Sequence, residues 1–205
     1  MNLALMLYLE MNRGQFFPFL EREDDGDLWY WGFEQTGTGA AEGARPIDIN
    51  RARLAPYISP DGRTMICPSL PSDYLHFKPK FLLPGYGYAI NRMMLAGGDP
   101  ARQWDHVARP SDTVTWADSV QINTWQAPAS SSNPMIEEWY YLDNRKGTSP
   151  KFHFRHMKKC NVAFADGSVR SLQPYWLDQR CDGLVGRPEP AVASSEVSYL
   201  LQLRK

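Results

Sequence analysis

The Asp166-Gly167 pair constrains the fold of this chain more than any other feature of its sequence. Large apolar residues alternate with alanines along 161–165, which is the period of a strand with one buried face. An Asp-Gly pair between alternating runs is among the strongest short-range signals for a β-hairpin. We therefore predict an antiparallel hairpin with strands over 161–165 and 168–172.

The other predicted elements give an α+β layout. Residues 2–12 are nearly all apolar helix formers, and Gly14 follows as a typical helix stop. A second helix is predicted over Asp48–Tyr57, and the β-prone run Thr113–Ala117 is predicted to join the sheet of the hairpin. One N-terminal helix, long loops and clustered antiparallel strands indicate a single α+β domain over 1–205.

Charge and motifs exclude several classes of function. With 22 Lys+Arg against 23 Asp+Glu, the chain lacks the basic field that holds nucleic acid. The sequence contains no nucleophile elbow, P-loop, dinucleotide-binding fingerprint or zinc-protease helix, so we expect a protein that is not an enzyme. Its seven tryptophans leave a glycan- or cargo-binding module as an alternative.

Metal ligands do not cluster along the sequence. His153, His156 and Cys160 suggest a zinc site, but residues three apart on a strand point to opposite faces. Asp24, Asp25 and Asp27 resemble part of a calcium loop, yet the closing glutamate is missing. A solvated turn explains these aspartates better.

Four stretches carry a resemblance to one family. RHMKKCNVAFADGSVRSL contains His156, nine intervening residues and then Asp166-Gly167. It resembles the H-X9-DG domain of pilin-like and pseudopilin-like proteins with prepilin-type N-termini. Three further stretches are similar to the family and occur in the same order along the chain. Asn2–Pro18 is similar to its helix end followed by Phe-Pro, Leu54–Ser69 to its Cys-Pro-Ser block, and Arg109–Ser119 to its Ala-Asp-Ser strand.

This resemblance implies a pilin-like head in which the N-terminal helix packs on an antiparallel sheet. It implies a non-enzymatic subunit of a type II secretion or type IV pilus-like filament, with other pilin-like subunits and the secretion machinery as partners. Residues 1–205 do not include the peptidase site and the membrane-anchoring half-helix of the family. We therefore expect 1–12 to be the remainder of a longer helix. The full-length protein would be anchored in the inner membrane, with its head in the periplasm or at the cell surface.

The resemblance also bears on cysteines and cofactors. An extracytoplasmic head favours a disulfide, for which we predict Cys160 with Cys181, and Cys67 in the family-like block is the alternative partner. Some major pseudopilins bind calcium in C-terminal loops. No run of this chain supplies the several neighbouring oxygen ligands that calcium needs, so we predict no bound metal and no cofactor.

The strand register predicts a structural role for the family motif. If Phe154 faces Phe164 across a strand pair, His156 lies opposite Val162, and residues 157–161 form the connecting loop. Asp166 then lies at the far end of the hairpin, roughly 13 Å away at the rise of a strand. This separation argues against a hydrolase that pairs His156 with Asp166.

Overall fold

The computed structural model describes residues 1–58, 63–70, 72, 75–82, 85–95, 103–142 and 151–173. In this part of the chain the one α-helix, α1, spans Asn2–Met11, in agreement with the prediction. No helix among these residues is long and apolar enough to cross a membrane. The strands are β1 (Glu21–Glu23), β2 (Gly26–Trp29), β3 (Gly32–Gln35), β4 (Ile47–Asp48), β5 (Phe77–Lys78), β6 (Tyr88–Asn91), β7 (Val114–Asp118), β8 (Gln121–Asn123), β9 (Met135–Glu137), β10 (Tyr141–Leu142), β11 (Cys160–Phe164) and β12 (Val169–Leu172).

Among the described residues the strands form three sheets, so the chain is mixed α+β. Their orders are β1-β2-β3-β4, β10-β6-β7-β11-β12 and β5-β9-β8. The three predicted strands are confirmed as β7, β11 and β12, which are neighbours in the five-stranded sheet. The pairs β10–β6 and β5–β9 are parallel. The expectation of a purely antiparallel sheet is therefore wrong at these two edges, where two-residue strands arrive through loops rather than hairpins.

Helix α1 packs against the five-stranded sheet, as predicted. The Asn2 side chain joins two strands, since Nδ2 donates to the carbonyl oxygen of Phe164 at 2.9 Å and Oδ1 accepts from Thr115 Oγ1 at 2.9 Å. Leu5 and Leu9 are buried in a core that includes residues of β7 and β11. The first turn of the helix is thus held on the neighbouring strands β7 and β11.

The predicted helix over Asp48–Tyr57 is wrong. Two 3-10 segments occupy this stretch instead, Ile49–Arg51 and Ala55–Tyr57. Between them Ala52 has an extended backbone, with φ −55° and ψ 141°. Pro56 has no N–H to donate to the carbonyl four residues earlier, so a continuous α-helix cannot run through this position.

The turn between β11 and β12 forms at Asp166-Gly167, as predicted. Gly167 has φ +90°, and its N–H donates to the carbonyl oxygen of Phe164 at 3.0 Å. Asp166 Oδ1 accepts from the backbone N–H of Ser168 at 2.9 Å and from its hydroxyl at 2.7 Å. These hydrogen bonds lower the pKa of the exposed Asp166 carboxyl. In this position Asp166 stabilises a turn.

Replacing Gly167 with valine should lower the free energy of unfolding by about 1–3 kcal/mol. A Cβ at this position has nothing within 4 Å, so the cost comes from the positive φ alone. Gly167→Asn is the matched control, because asparagine tolerates this backbone region better than valine. Chemical denaturation measures both variants, and equal losses for asparagine and valine would contradict the backbone explanation.

The predicted register of the segment before β11 is wrong. Val162 pairs with Ala117 of β7 on one side and with Arg170 of β12 on the other, so β11 has no free edge for residues 152–156. His156 instead forms an isolated bridge with Lys159, through two N–H···O bonds of 3.0 and 2.9 Å. The two residues between them both have positive φ, as in a tight two-residue hairpin turn.

Glu138 makes stability depend on pH. Its carboxylate accepts from the backbone N–H groups of Gly85 at 2.8 Å and Lys80 at 3.3 Å, but burial is the stronger effect and raises its pKa to about 7. A raised pKa means that the folded protein holds a proton that the unfolded chain releases. This contribution is fully present below pH 4.5 and is lost as the pH rises through 7.

The wild-type protein should therefore lose about 2–3 kcal/mol more stability between pH 5 and pH 8 than Glu138→Gln does. Urea denaturation at a series of pH values measures this difference. Glu10→Gln is the control, because Glu10 is exposed on α1, and its pH profile should match that of the wild type. A Glu138→Gln profile parallel to the wild-type profile would contradict the assignment.

Candidate functional site

A buried carboxylate lies at the end of the central strand of the five-stranded sheet. Asp118 is the last residue of β7, pairs with Tyr88 of β6, and is fully buried. Its Oδ2 accepts the backbone N–H of Asn161 at 2.7 Å. Transferring an ionised carboxylate into the protein interior is costly unless a counter-ion and hydrogen bonds compensate it. The surrounding side chains supply that compensation.

Arg155 is the counter-ion of Asp118. Its Nη2 donates to Asp118 Oδ1 at 2.7 Å and to the carbonyl oxygen of Gly87 at 2.6 Å, and the side chain is only 4 % exposed. Its Nη1 lies 3.4 Å from the carbonyl oxygen of Ser119 and 3.1 Å from His153 Nδ1. Because a guanidinium can only donate, His153 Nδ1 is an acceptor and the ring proton lies on Nε2.

His156 and Cys67 complete the site. His156 Nε2 lies 3.3 Å from Asp118 Oδ2 and 3.4 Å from Cys67 Sγ. Cys67 is buried, whereas the His156 side chain is 28 % exposed. We call Cys67, Asp118, Arg155 and His156 the Asp118 cluster. It combines a soft sulfur, an imidazole nitrogen and a carboxylate oxygen beside one permanent positive charge.

Two residues of the β6 region position Cys67. Gly87 allows close approach, because a Cβ on Gly87 would lie 2.8 Å from the Cys67 backbone nitrogen. The Tyr88 side chain lies beside Cys67, and burial is the main reason that the pKa of Tyr88 is raised to about 12. Tyr88 therefore stays protonated at neutral pH.

The contacts of His156 differ from those of a Cys-His-Asp catalytic triad. In a triad the carboxylate orients one ring nitrogen while the other nitrogen takes the proton of the nucleophile. In the Asp118 cluster the carboxylate and the thiol both contact Nε2. No proton path runs through the ring from sulfur to carboxylate. The arrangement fits either hydrogen bonds that hold three segments of the chain together or a set of ligand atoms around one metal ion.

The structure does not bring together the two charged residues of the H-X9-DG motif. His156 precedes β11 and contacts Asp118, whereas Asp166 follows β11 and bonds to Ser168. The five residues of β11 span roughly 13 Å. His156 and Asp166 therefore have different hydrogen-bonding partners, while the register from which their separation was predicted is wrong.

The predicted disulfide involves a residue outside the described part of the chain. Cys181 is not among the described residues, so a Cys160–Cys181 bridge stays a prediction. Cys160 and Cys67 are both buried and are not bonded to each other. Burial raises the pKa of the Cys160 thiol well above its usual value. Cys160 Sγ faces the carbonyl oxygen of Asp118 at 3.5 Å.

Three of the seven tryptophans that suggested a glycan platform are core residues. Trp29, Trp31 and Trp116 are each at most 9 % exposed and pack in the main core. Trp125, in contrast, is 66 % exposed. Among the described tryptophans Trp125 has the most exposed ring, so the glycan-binding alternative is best tested there.

Comparison with protein-family models, with curated proteins and with solved structures found no match for this chain. The resemblance to the H-X9-DG family therefore stays a hypothesis based on the sequence motifs.

Sequence reasoning missed Asp118 and Arg155 and did not connect Cys67 with His156. A signal was present, because three of the family-like stretches contribute all four residues of the Asp118 cluster: Cys67 from Leu54–Ser69, Asp118 from Arg109–Ser119, and Arg155 with His156 from the H-X9-DG stretch. That convergence could have suggested contact between the three stretches. It could not have supplied the geometry.

Proposed function

We propose that this protein is a structural, non-enzymatic subunit of a type II secretion or type IV pilus-like filament, with its head on the extracytoplasmic side of the membrane. The observation that carries the proposal is an exposed apolar stripe on α1. Leu3, Leu7 and Met11 are 72 %, 38 % and 73 % exposed. They lie four residues apart and therefore share one face of the helix.

The opposite side of α1 holds the helix on the head. Ala4, Leu5 and Leu9 are buried in the core, so the helix is fixed and cannot rotate its exposed stripe inwards. Contiguous apolar surface on a fixed helix is suited to packing against another helix. Other pilin-like subunits, and the secretion machinery that assembles them, are the partners in this proposal.

Sedimentation velocity tests the stripe. The wild-type protein should self-associate as its concentration rises, and Leu3→Glu/Leu7→Glu should remain monomeric over the same range. Glu10→Gln is the control on the same helix and should associate like the wild type. Identical sedimentation of the wild type and the double glutamate variant would contradict the role of the stripe.

Fractionation of the native cells tests the filament. Antibodies against the head should label fibres sheared from the cell surface or a membrane fraction that proteases reach from outside. Recovery of the protein only from the cytoplasmic fraction would contradict the proposal.

A further inference from the structure

We propose that Cys67, Asp118 and His156 form a binding site for a divalent transition metal of the zinc class. One ligand atom from each residue lies within 4.8 Å of the other two. In a tetrahedral zinc site with bonds of 2.0–2.3 Å, neighbouring ligand atoms are about 3.3–3.7 Å apart. The 3.3 Å from His156 Nε2 to Asp118 Oδ2 and the 3.4 Å to Cys67 Sγ agree with that spacing.

The three atoms also suit a bound ion. His156 Nε2 carries at most one hydrogen and lies between a carboxylate oxygen and a thiol sulfur, which is only a weak donor and a weak acceptor of hydrogen bonds. A bound ion would use a lone pair from each of the three atoms. Asp118 is prepared for such a role, because Arg155 holds Oδ1 and the Asn161 N–H takes one lone pair of Oδ2. Outer contacts of this kind orient metal ligands in proteins.

The donor set selects the class of ion. A thiolate and an imidazole suit Zn²⁺ and Co²⁺, whereas Ca²⁺ needs six to eight oxygen ligands. On binding, the Cys67 thiol releases its proton to solvent. Three protein ligands leave the fourth position to water, which can enter beside the part-exposed His156 ring.

This ligand set differs from the one that the sequence suggested. His153 is engaged with Arg155, and Cys160 faces a carbonyl oxygen of Asp118. The expectation of no bound metal considered only ligands close together along the chain. The proposed ligands come from three segments that are far apart in sequence, and the fold alone brings them together.

Titration of the metal-free, reduced protein with Co²⁺ tests the site. We expect one cobalt per chain, with a thiolate-to-cobalt charge-transfer absorption that Zn²⁺ removes. Cys67→Ser should lose that absorption, and His156→Ala should bind Co²⁺ at least tenfold more weakly. Cys160→Ser and His106→Ala are matched controls and should bind like the wild type, because neither residue belongs to the proposed ligand set.

Folding is checked separately, so that a misfolded variant is not counted as a loss of binding. Far-ultraviolet circular dichroism should be the same for the wild type and His156→Ala, whose ring is part-exposed. Zn²⁺ should then raise the melting temperature of the wild type and leave that of His156→Ala unchanged. Absence of the charge-transfer absorption in the wild type, or its persistence in Cys67→Ser, would overturn the proposal.

Discussion

Replacing Arg155 with methionine is expected to lower the free energy of unfolding by about 3–5 kcal/mol. The guanidinium is 4 % exposed and provides the nearest positive charge to the fully buried Asp118 carboxylate, at 2.7 Å. Without it, the buried Asp118 carboxylate loses the guanidinium that balances its charge, and the carbonyl oxygen of Gly87 loses a donor. Urea denaturation at neutral pH, followed by tryptophan fluorescence, measures the loss.

Two further variants show whether the loss comes from the ion pair. Arg22→Met is the matched control, because Arg22 is exposed on β1, and its effect should stay within about 0.5 kcal/mol. Asp118→Asn combined with Arg155→Met should recover part of the loss, since neither charge then remains. A loss below about 1 kcal/mol for Arg155→Met would show that the buried carboxylate does not depend on this partner.

Replacing Trp31 with alanine is expected to lower the free energy of unfolding by about 3–5 kcal/mol. Trp31 is 1 % exposed. Its ring centroid lies 4.7 Å from that of Tyr86, 4.9 Å from that of Phe81 and 5.8 Å from that of Trp29. Removing the indole would leave a cavity among rings that pack on one another. Denaturation followed by far-ultraviolet circular dichroism avoids the loss of a fluorescent reporter.

Trp125→Ala is the matched control for Trp31→Ala. The substitution is the same, but Trp125 is 66 % exposed, so its effect should stay within about 0.5 kcal/mol. Equal losses at the two positions would contradict the assignment of Trp31 to the core. The Trp125 variant also tests the glycan alternative, because a protein that binds glycans through this ring should lose that binding with its stability intact.

Elements whose backbone conformation is set by residues adjacent in the sequence were predictable. The helix stop at Asn12, Arg13 and Gly14 appears with positive φ at Arg13 and Gly14, and the Gly14 N–H donates to the carbonyl oxygen of Leu9 at 2.7 Å. The turn at Gly167 appears with its positive φ as well. In both cases the backbone conformation is limited by the residues that adopt it.

Predictions of which strands lie next to each other were less successful. The segment around Phe154 was placed beside β11, but β7 and β12 already occupy both edges of that strand. Alternation of apolar residues shows which face of a strand is buried, and it carries no information on which strand lies next to it. The parallel edge pairs β10–β6 and β5–β9 were missed for the same reason.

The sequence by itself determined the N-terminal helix, the central strands and the Asp-Gly turn, because local backbone preference and burial patterns specify such elements. Only the tertiary structure decided that Cys67, Asp118 and His156 meet and that Arg155 is buried beside them. These contacts join residues up to 89 positions apart. Their geometry depends on sheet order and on the close approach at Gly87, and neither of these leaves a local pattern in the chain.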